Sequence, residues 1–374
     1  MRRVLVLALG SALCTAGLAT AAPAAEASAK AAAWKSPRNA MGQPDLSGYW
    51  SNATLTPLTR NPRISNKSAL TAEEAKGFEQ IWAKALADSD APTDPAAAAE
   101  AGQASNLSSK LVEIRPDFIA AGGDTGGYNT FWIDPGTKLV EIGGAYRTSI
   151  LTTPNGMPPA RKPGAPKMRG FADYRDIYDS YENRPLGERC ITGFGRNNGP
   201  PMLPNGYYNN NYQIVQTPDT VLINVEMIHD ARIVRLNASH SSDPVRHWMG
   251  DSIGRYEGDT LVVETTKIPE VQEFMGSWKN LKVTEWFTRI SPGKILYRFQ
   301  MEDPDIWDQP WGGEYTFNTL NGRVYEYACH EGNYALPGIL GGARVKEREA
   351  AEAAAKAAAP AAVAPPAKAR RGAD

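Results

Sequence analysis

Residues 212–236 read YQIVQTPDTVLINVEMIHDARIVRL, and the spacing of apolar side chains in this stretch decides the fold class. Pro218-Asp219 separates two β-rich runs, and from Val221 onward the apolar residues alternate along the chain. One face of the second run would carry Val221, Ile223, Val225, Met227, His229, Ala231 and Ile233. The other face is mixed and charged. The alternation therefore predicts a sheet with one buried face, and it predicts that His229 points into the interior.

Turn signals recur between the strand-like runs in the second half of the chain. They are Glu257-Gly258-Asp259, Ser291-Pro292-Gly293 and Asn321-Gly322. Because the strands follow one another without a helical crossover, we predict a mainly β protein whose antiparallel sheet closes as an up-and-down β-barrel. A two-sheet sandwich is the alternative. Nearer the N-terminus, Thr71 and Glu74 form a capping-box pattern, which predicts one helix packed against the sheet.

The composition of the chain changes at its two ends. Residues 1–21 carry an Arg pair, an apolar run and an Ala-Thr-Ala site, which predict a secretory signal peptide and a periplasmic or secreted protein. An uncleaved membrane anchor is the alternative, although the apolar run is shorter than the ~20 residues that a spanning helix needs. We predict a linker over 22–43 and a single domain over 44–345. The Ala/Pro/Lys-rich tail, 346–374, is predicted to fray from a short helix into disorder.

Charge and cysteine content limit the classes of partner and compartment. The chain has 40 basic and 41 acidic residues, and its net charge of -1 gives no electrostatic reason to expect nucleic acid as a partner. Cleavage of the signal peptide would remove Cys14 and leave Cys190 and Cys329. In an oxidising compartment these two cysteines predict one disulfide, and two free buried thiols are the alternative.

The same alternation separates inward from outward side chains in the later strands. In 295–301 the apolar face carries Ile295, Tyr297, Phe299 and Met301. In 323–331 one face carries Tyr325, Tyr327, Cys329 and Glu331. If this aromatic face is inside, Glu331 sits at the rim of the interior.

These positions lead to one catalytic hypothesis, in which His229 and Glu331 meet across a cavity as an acid–base pair, with Tyr327 or Tyr325 as a further donor. An imidazole suits proton transfer because its unperturbed pKa is about 6.5. Asp230 points to the opposite face of a regular strand, so it would partner His229 only through a bulge. A core histidine satisfied by a carbonyl or a tyrosine hydroxyl is the alternative.

A long region rich in Pro, Gly and Asn, through 154–170 and on to 211, is predicted to cap the barrel as a lid. Arg196, Tyr208 and Asn210 of this lid are predicted to bind ligand together with Tyr325. A solvated polar loop is the alternative.

The four histidines suggest a second kind of site, a transition-metal site at His229 and His330. No two histidines have the close spacing of ligands on one helix face, so we expect no metal. Paired glycines at 122–123 and 126–127 do not form a strand-to-helix phosphate loop, and no cofactor is expected.

Several motifs together resemble a group of exported bacterial proteins of uncharacterised function. They are GPPMLP, YNNNYQIVQTP, EMIHDARI, YEGDTLVVETT and YEYACHEGNY. The resemblance covers residues 44–345 and implies a shared fold, without an activity or a site residue. Gly48-x-Trp50 resembles the opening of the first strand in lipocalin-like barrels, which agrees with the predicted architecture.

Taken together, the sequence favours an exported, cofactor-independent enzyme that acts by acid–base proton transfer on a small, partly apolar or aromatic molecule. A lyase, hydratase or isomerase would fit. A non-catalytic carrier or sensor with the same cavity is the alternative, and an envelope scaffold without a cavity is another, because β-barrels serve all three purposes.

Overall fold

The computed structural model describes residues 34–90, 134–168, 177–193, 195–196, 198–205 and 208–358. The predicted signal peptide lies outside the described residues. The described part of the predicted linker contacts the barrel. Arg38 forms an isolated β-bridge with Pro44 and an ion pair with Asp259 in the turn between β8 and β9.

Strands dominate the described residues. In chain order they are β1 (Gly48–Ser51), β2 (Ala69–Leu70), β3 (Glu141–Ile142), β4 (Ala145–Arg147), β5 (Asn211–Gln216), β6 (Thr220–Val225), β7 (Ala231–Leu236), β8 (Asp251–Glu257), β9 (Thr260–Thr266), β10 (Lys282–Ser291), β11 (Lys294–Glu302) and β12 (Trp311–Thr319). β1 and β5 to β12 form a closed barrel. The predicted mainly β barrel is confirmed, and the sandwich alternative is wrong.

The barrel is not purely up-and-down. From β5 to β12 each strand neighbours the next in the chain, but β7 and β8 run parallel over the pairs Val234–Ser252 to Leu236–Gly254. β1 closes the ring, since it pairs with β12 on one side and with β5 on the other. The predicted turns between β8 and β9 and between β10 and β11 are confirmed.

Side chains fill the interior of the barrel. Apart from Arg232, the largest interior side chains with less than 2% exposure are aromatic: Trp50, Tyr212, Phe287, Tyr297, Tyr315 and Phe317. The ring centroids of Tyr297 and Tyr315 are 5.0 Å apart in an edge-on arrangement, and those of Phe287 and Tyr297 are also 5.0 Å apart. Such packing contributes through buried area and favourable ring geometry. The predicted central ligand cavity is therefore replaced by an aromatic core.

Helix α1 (Ala72–Asp90) begins at the predicted capping box. Glu74 N donates to Thr71 Oγ1 over 3.2 Å, and Thr71 N donates to Glu74 Oε2 over 2.9 Å. Trp82 on the buried face of α1 packs with Leu55 and Leu139 in a second, smaller core. This core lies beside the small sheet formed by β2, β4 and β3.

Residues 323–331 do not form the predicted hairpin strand after Asn321-Gly322. The edge of β12 that such a strand would join is already paired with β1, because Trp50 is the partner of Thr319. The segment instead runs outside the barrel as irregular chain. The predicted disulfide between Cys190 and Cys329 is confirmed, with a Cα–Cα distance of 5.8 Å.

The chain continues into helix α2 (Ala335–Ala358), which is longer than the short helix that the composition predicts. The predicted domain boundary at 345 falls inside α2, which continues through 346–358, while 359–374 lie outside the described residues. Arg344 Nη2 of α2 donates to the carbonyl oxygen of Asp179 over 2.7 Å. In the described part of the chain, neither α1 nor α2 is long and apolar enough to cross a membrane.

Candidate functional site

The connection between β6 and β7 is a tight turn, where the alternation predicts a continuous strand. Ile228 and His229 both have left-handed backbone, with φ of 61° and 49°, which a β-branched residue rarely adopts. The buried carboxylate of Glu226 stabilises the turn by accepting hydrogen bonds from Asn211 Nδ2 and Tyr325 N. Strained backbone of this kind is concentrated at functional sites, so this turn is the first candidate region.

The turn shifts the alternation by one residue and reverses the predicted orientation of β7. Ala231 and Ile233 face outward, whereas Arg232 is buried in the barrel. His229 is exposed in the turn, so the prediction that it points into a dry interior is wrong. Asp230, the next residue, is partly buried.

The other members of the predicted acid–base site also lie outside the barrel. Tyr325 is 70% exposed, and Glu331 is exposed as well. Tyr327 is partly buried and stacks on Tyr208, with ring centroids 6.4 Å apart. The predicted interior meeting of His229 and Glu331 is therefore wrong, because the interior is filled and residues 323–331 pass over its outer surface.

Part of the predicted lid enters the barrel, and residues 198–205 are called the plug. Met202 of the plug belongs to the barrel core, and two inward tyrosines hold its backbone. Met202 N donates to Tyr297 Oη over 2.9 Å, and Tyr315 Oη donates to Met202 O over 2.8 Å. Because buried backbone groups need such partners, these two bonds fix the plug in the barrel.

A buried ion pair lies beside the plug. Glu285 Oε1 accepts hydrogen bonds from Arg232 Nη1 over 3.0 Å and from Tyr297 Oη over 2.7 Å, and Glu285 Oε2 accepts one from Arg232 Nη2. Arg232 also donates to Ser252 Oγ over 3.1 Å and to Thr265 Oγ1 over 2.9 Å. Burial opposes the charged form of Arg232, but attraction to Glu285 and hydrogen bonding outweigh it and raise the pKa of the guanidinium. This pair cross-links five strands inside the barrel.

A groove of about 590 Å³ runs along the outside of β7, and we call it the β7 groove. It is lined mainly by residues from 230–235 and 241–252. Ile233, Val245 and Trp248 line it and are 57%, 52% and 44% exposed. Exposed apolar side chains gathered in a polar rim are typical of binding sites.

Asp230 lines the β7 groove where the groove meets the plug. Asn198 Nδ2 of the plug donates to Asp230 Oδ2 over 2.8 Å. Burial raises the pKa of Asp230, and the hydrogen bond from Asn198 only partly opposes this effect. The groove therefore holds a carboxyl group whose proton affinity is raised by its surroundings.

An ionic cluster fixes the residues on the other side of the β7 groove. Asp251 Oδ1 is 2.6 Å from Arg235 Nη2, and Asp251 Oδ2 accepts from Ser241 N over 2.8 Å. His240 lies between two carboxylates, with Nδ1 3.0 Å from Asp251 Oδ2 and Nε2 3.1 Å from Glu264 Oε1. Burial alone would raise the pKa of Asp251, but the hydrogen bonds from Ser241, Arg235 and His240 outweigh it and lower this pKa.

Two of the predicted ligand-binding residues of the lid, Arg196 and Asn210, donate hydrogen bonds to backbone carbonyl oxygens of the protein. Arg196 Nη2 donates to the carbonyl oxygen of Pro200 over 2.6 Å, and loss of solvation lowers the pKa of Arg196 to about 10. Asn210 is fully buried and donates to the carbonyl oxygen of Asp134 over 2.9 Å. Arg196, Asn210 and Tyr208 are not among the residues that line the β7 groove.

Within the described ranges, no group of three or more His, Cys, Asp and Glu side chains is placed to hold a metal ion. His229 and His330, the residues of the alternative metal hypothesis, are both exposed.

The groove was not predicted, although the sequence carries one signal for it. Val245 and Trp248 are bulky apolar residues in a segment with no strand-like alternation, next to Asp243-Pro244. A tryptophan in such a loop suggests a surface contact rather than a core position. Comparison with protein-family models, with curated proteins and with solved structures found no match to this chain.

Proposed function

We propose that this protein binds a small, partly apolar molecule in the β7 groove. The single observation that carries the proposal is the exposed apolar group Ile233, Val245 and Trp248 inside a charged rim. The groove volume of about 590 Å³ falls in the range of roughly 300–1,000 Å³ that is usual for small-molecule sites. The filled barrel favours this outer site over the interior cavity of a lipocalin-like carrier.

Ligand-observed NMR with a panel of small aromatic amines, carboxylates and alcohols tests this function. We expect at least one compound to show saturation transfer with the wild-type chain and to lose it with Ile233→Thr. Threonine keeps the β-branched shape that suits an outward strand position. Val215→Thr is the matched control, because Val215 is a 40% exposed residue of β5 that does not line the groove. Unchanged binding in Ile233→Thr, or no binding at all, would contradict the proposal.

A second candidate function is acid–base catalysis at the same groove. It is favoured by Asp230, which lines the groove and whose pKa is raised, and by His229, which is next to Asp230 in the strained turn but outside the groove lining. The two residues would together supply a proton donor and acceptor. Deuterium incorporation into phenylacetone in D₂O, followed by proton NMR, measures such transfer. We expect exchange that is lost in both Asp230→Asn and His229→Gln. Exchange no faster than in buffer leaves a non-catalytic carrier or sensor as the function.

We also propose that the protein works outside the cytoplasm. The predicted signal peptide supports this location, and the Cys190–Cys329 disulfide is compatible with it. Cell fractionation and mass spectrometry of the mature chain test it. The expected result is a periplasmic or secreted product that begins at Ala22, and a cytoplasmic full-length product would contradict it.

A further inference from the structure

We infer that the ligand of the β7 groove is an amphipathic organic cation, with an ammonium group at Asp230 and an aromatic or aliphatic body against Ile233 and Trp248. The inference rests on the proposed function, since it specifies the chemistry of a ligand at that same groove. It follows from the distribution of charge among the lining residues.

The groove is lined by the carboxylates Asp230, Asp243 and Asp251 and by the cations Arg232, Arg235 and Lys267, apart from a histidine. The charge of Arg232 is balanced inside the barrel by Glu285, with which it forms a buried ion pair. The three carboxylates are therefore opposed by only two cations whose charge is not already balanced inside the barrel. An organic cation complements this excess, whereas an organic anion increases it.

The other two permanent cations, Arg235 and Lys267, are also engaged by the protein. Arg235 Nη2 is 2.6 Å from Asp251 Oδ1. Lys267 Nζ donates to the carbonyl oxygens of Ser241 and Asp243, and so ties the loop to the end of β9. An anionic ligand would have to displace these contacts, so the two cations do not form a ready anion site.

Among the described residues, Asp230 forms no ion pair with a Lys or Arg side chain, and its charged neighbour is His229 in the turn. Its partner is the neutral amide of Asn198, which donates to Oδ2 over 2.8 Å. Burial destabilises its charged form, in agreement with a raised pKa. An ammonium group beside Asp230 would relieve this penalty through a charge-assisted hydrogen bond.

The apolar part of the groove suits the rest of such a ligand. Ile233 lies on the outward face of β7, three residues after Asp230, and Trp248 lines the same groove from the loop that precedes β8. An indole ring attracts cations through its face as well as providing apolar contact. An arylalkyl amine therefore matches both the carboxylate and the apolar side chains of the groove.

Isothermal titration calorimetry at neutral pH with three probes of one shape tests the inference. The probes are 2-phenylethylammonium chloride, 2-phenylethanol and sodium 3-phenylpropionate. We expect the ammonium probe to bind more than about tenfold tighter than the other two, because only this probe can donate a charge-assisted hydrogen bond to Asp230. Asp230→Asn should remove this preference. Asp308→Asn is the control, since that exposed carboxylate does not line the groove.

The outcomes separate the inference from the function on which it rests. If all three probes bind equally and Ile233→Thr weakens them all, the groove binds small molecules but the cation preference is wrong. If the preference persists in Asp230→Asn, the assignment of the ammonium to Asp230 is wrong. If none of the probes binds and the wider NMR panel also shows no binding, both the inference and the proposed function fail. Loss of the preference in Asp230→Asn but not in Asp308→Asn supports the inference.

Discussion

Glu285→Leu should destabilise the barrel strongly, because it leaves the Arg232 guanidinium buried without its counter-charge. Arg232 and Glu285 side chains are 1% and 0% exposed, so water cannot take the place of the lost carboxylate. Breaking one partner of such a pair lowers the free energy of unfolding by about 3–5 kcal/mol. The loss includes the hydrogen bond from Tyr297 Oη, which also accepts from the plug at Met202 N.

The double variant Arg232→Met with Glu285→Leu provides the comparison that isolates the charge. Replacing both members of a buried pair by apolar residues of similar volume is often neutral or stabilising. We therefore expect the double variant to be more stable than Glu285→Leu alone, by at least about 2 kcal/mol in urea denaturation at neutral pH. The reasoning is refuted if Glu285→Leu loses less than about 1 kcal/mol, or if the losses of the two single variants simply add.

Three further predictions concern the disulfide and the groove carboxylates. The double variant Cys190→Ser with Cys329→Ser opens a loop with a sequence separation of 139. It should lower the free energy of unfolding by about 4–5 kcal/mol, measured by urea denaturation. An equal urea midpoint for the wild type in reducing and non-reducing buffer would contradict this prediction. Because the folded pKa of Asp251 is lowered, its stabilising effect is present above its unfolded pKa of about 4 and lost as the pH falls through the folded value. The amide resonance of Ser241, which donates to Asp251, should therefore titrate with a midpoint below about 4, and a higher midpoint would show that these bonds do not favour the carboxylate. The folded pKa of Asp230 is raised, so its charged form destabilises the fold at neutral pH. In thermal unfolding at neutral pH, Asp230→Asn should therefore be at least as stable as the wild type. The difference in stability between the two proteins should vanish below about pH 4. A large loss of stability in Asp230→Asn would contradict that prediction.

The strands that could be predicted are those in which burial alternates without interruption. β11 is an example, since Ile295, Tyr297, Phe299 and Met301 are all buried as the sequence predicts. The turn signals around it also hold, because Gly and Pro at residues 292–293 specify the connection locally. Local chemistry was sufficient to predict this part of the fold.

The turn before β7 could not be predicted in this way. It places left-handed backbone at Ile228 and His229 without glycine or proline, and tertiary contacts from Glu226 supply the stabilisation. The prediction therefore continued the alternation through the turn as if it were strand. As a result, it assigned the inward-facing positions to the wrong face of β7. For the same reason, the sequence pattern did not indicate that Arg232 is buried.

Glu285 did have such a signal. In β10 it stands between Val283 and Phe287 at the inward positions of an alternating strand. A charged residue at an inward position indicates a buried partner of opposite charge. The identity of that partner depends on the register of strands far apart in the sequence, so it required the three-dimensional structure.

The position of β1 sets the order in which the ring of strands is completed. Translation delivers this short segment first, yet its two neighbours are β5 and β12, and β12 is the last strand to be made. The barrel can close only when Trp50 of β1 pairs with Thr319 of β12. Until then the nascent chain keeps a strand edge with unpaired backbone groups. A permuted chain that starts after β1 and appends β1 behind β12 would turn this distant seam into a neighbouring hairpin, and its barrel should fold faster.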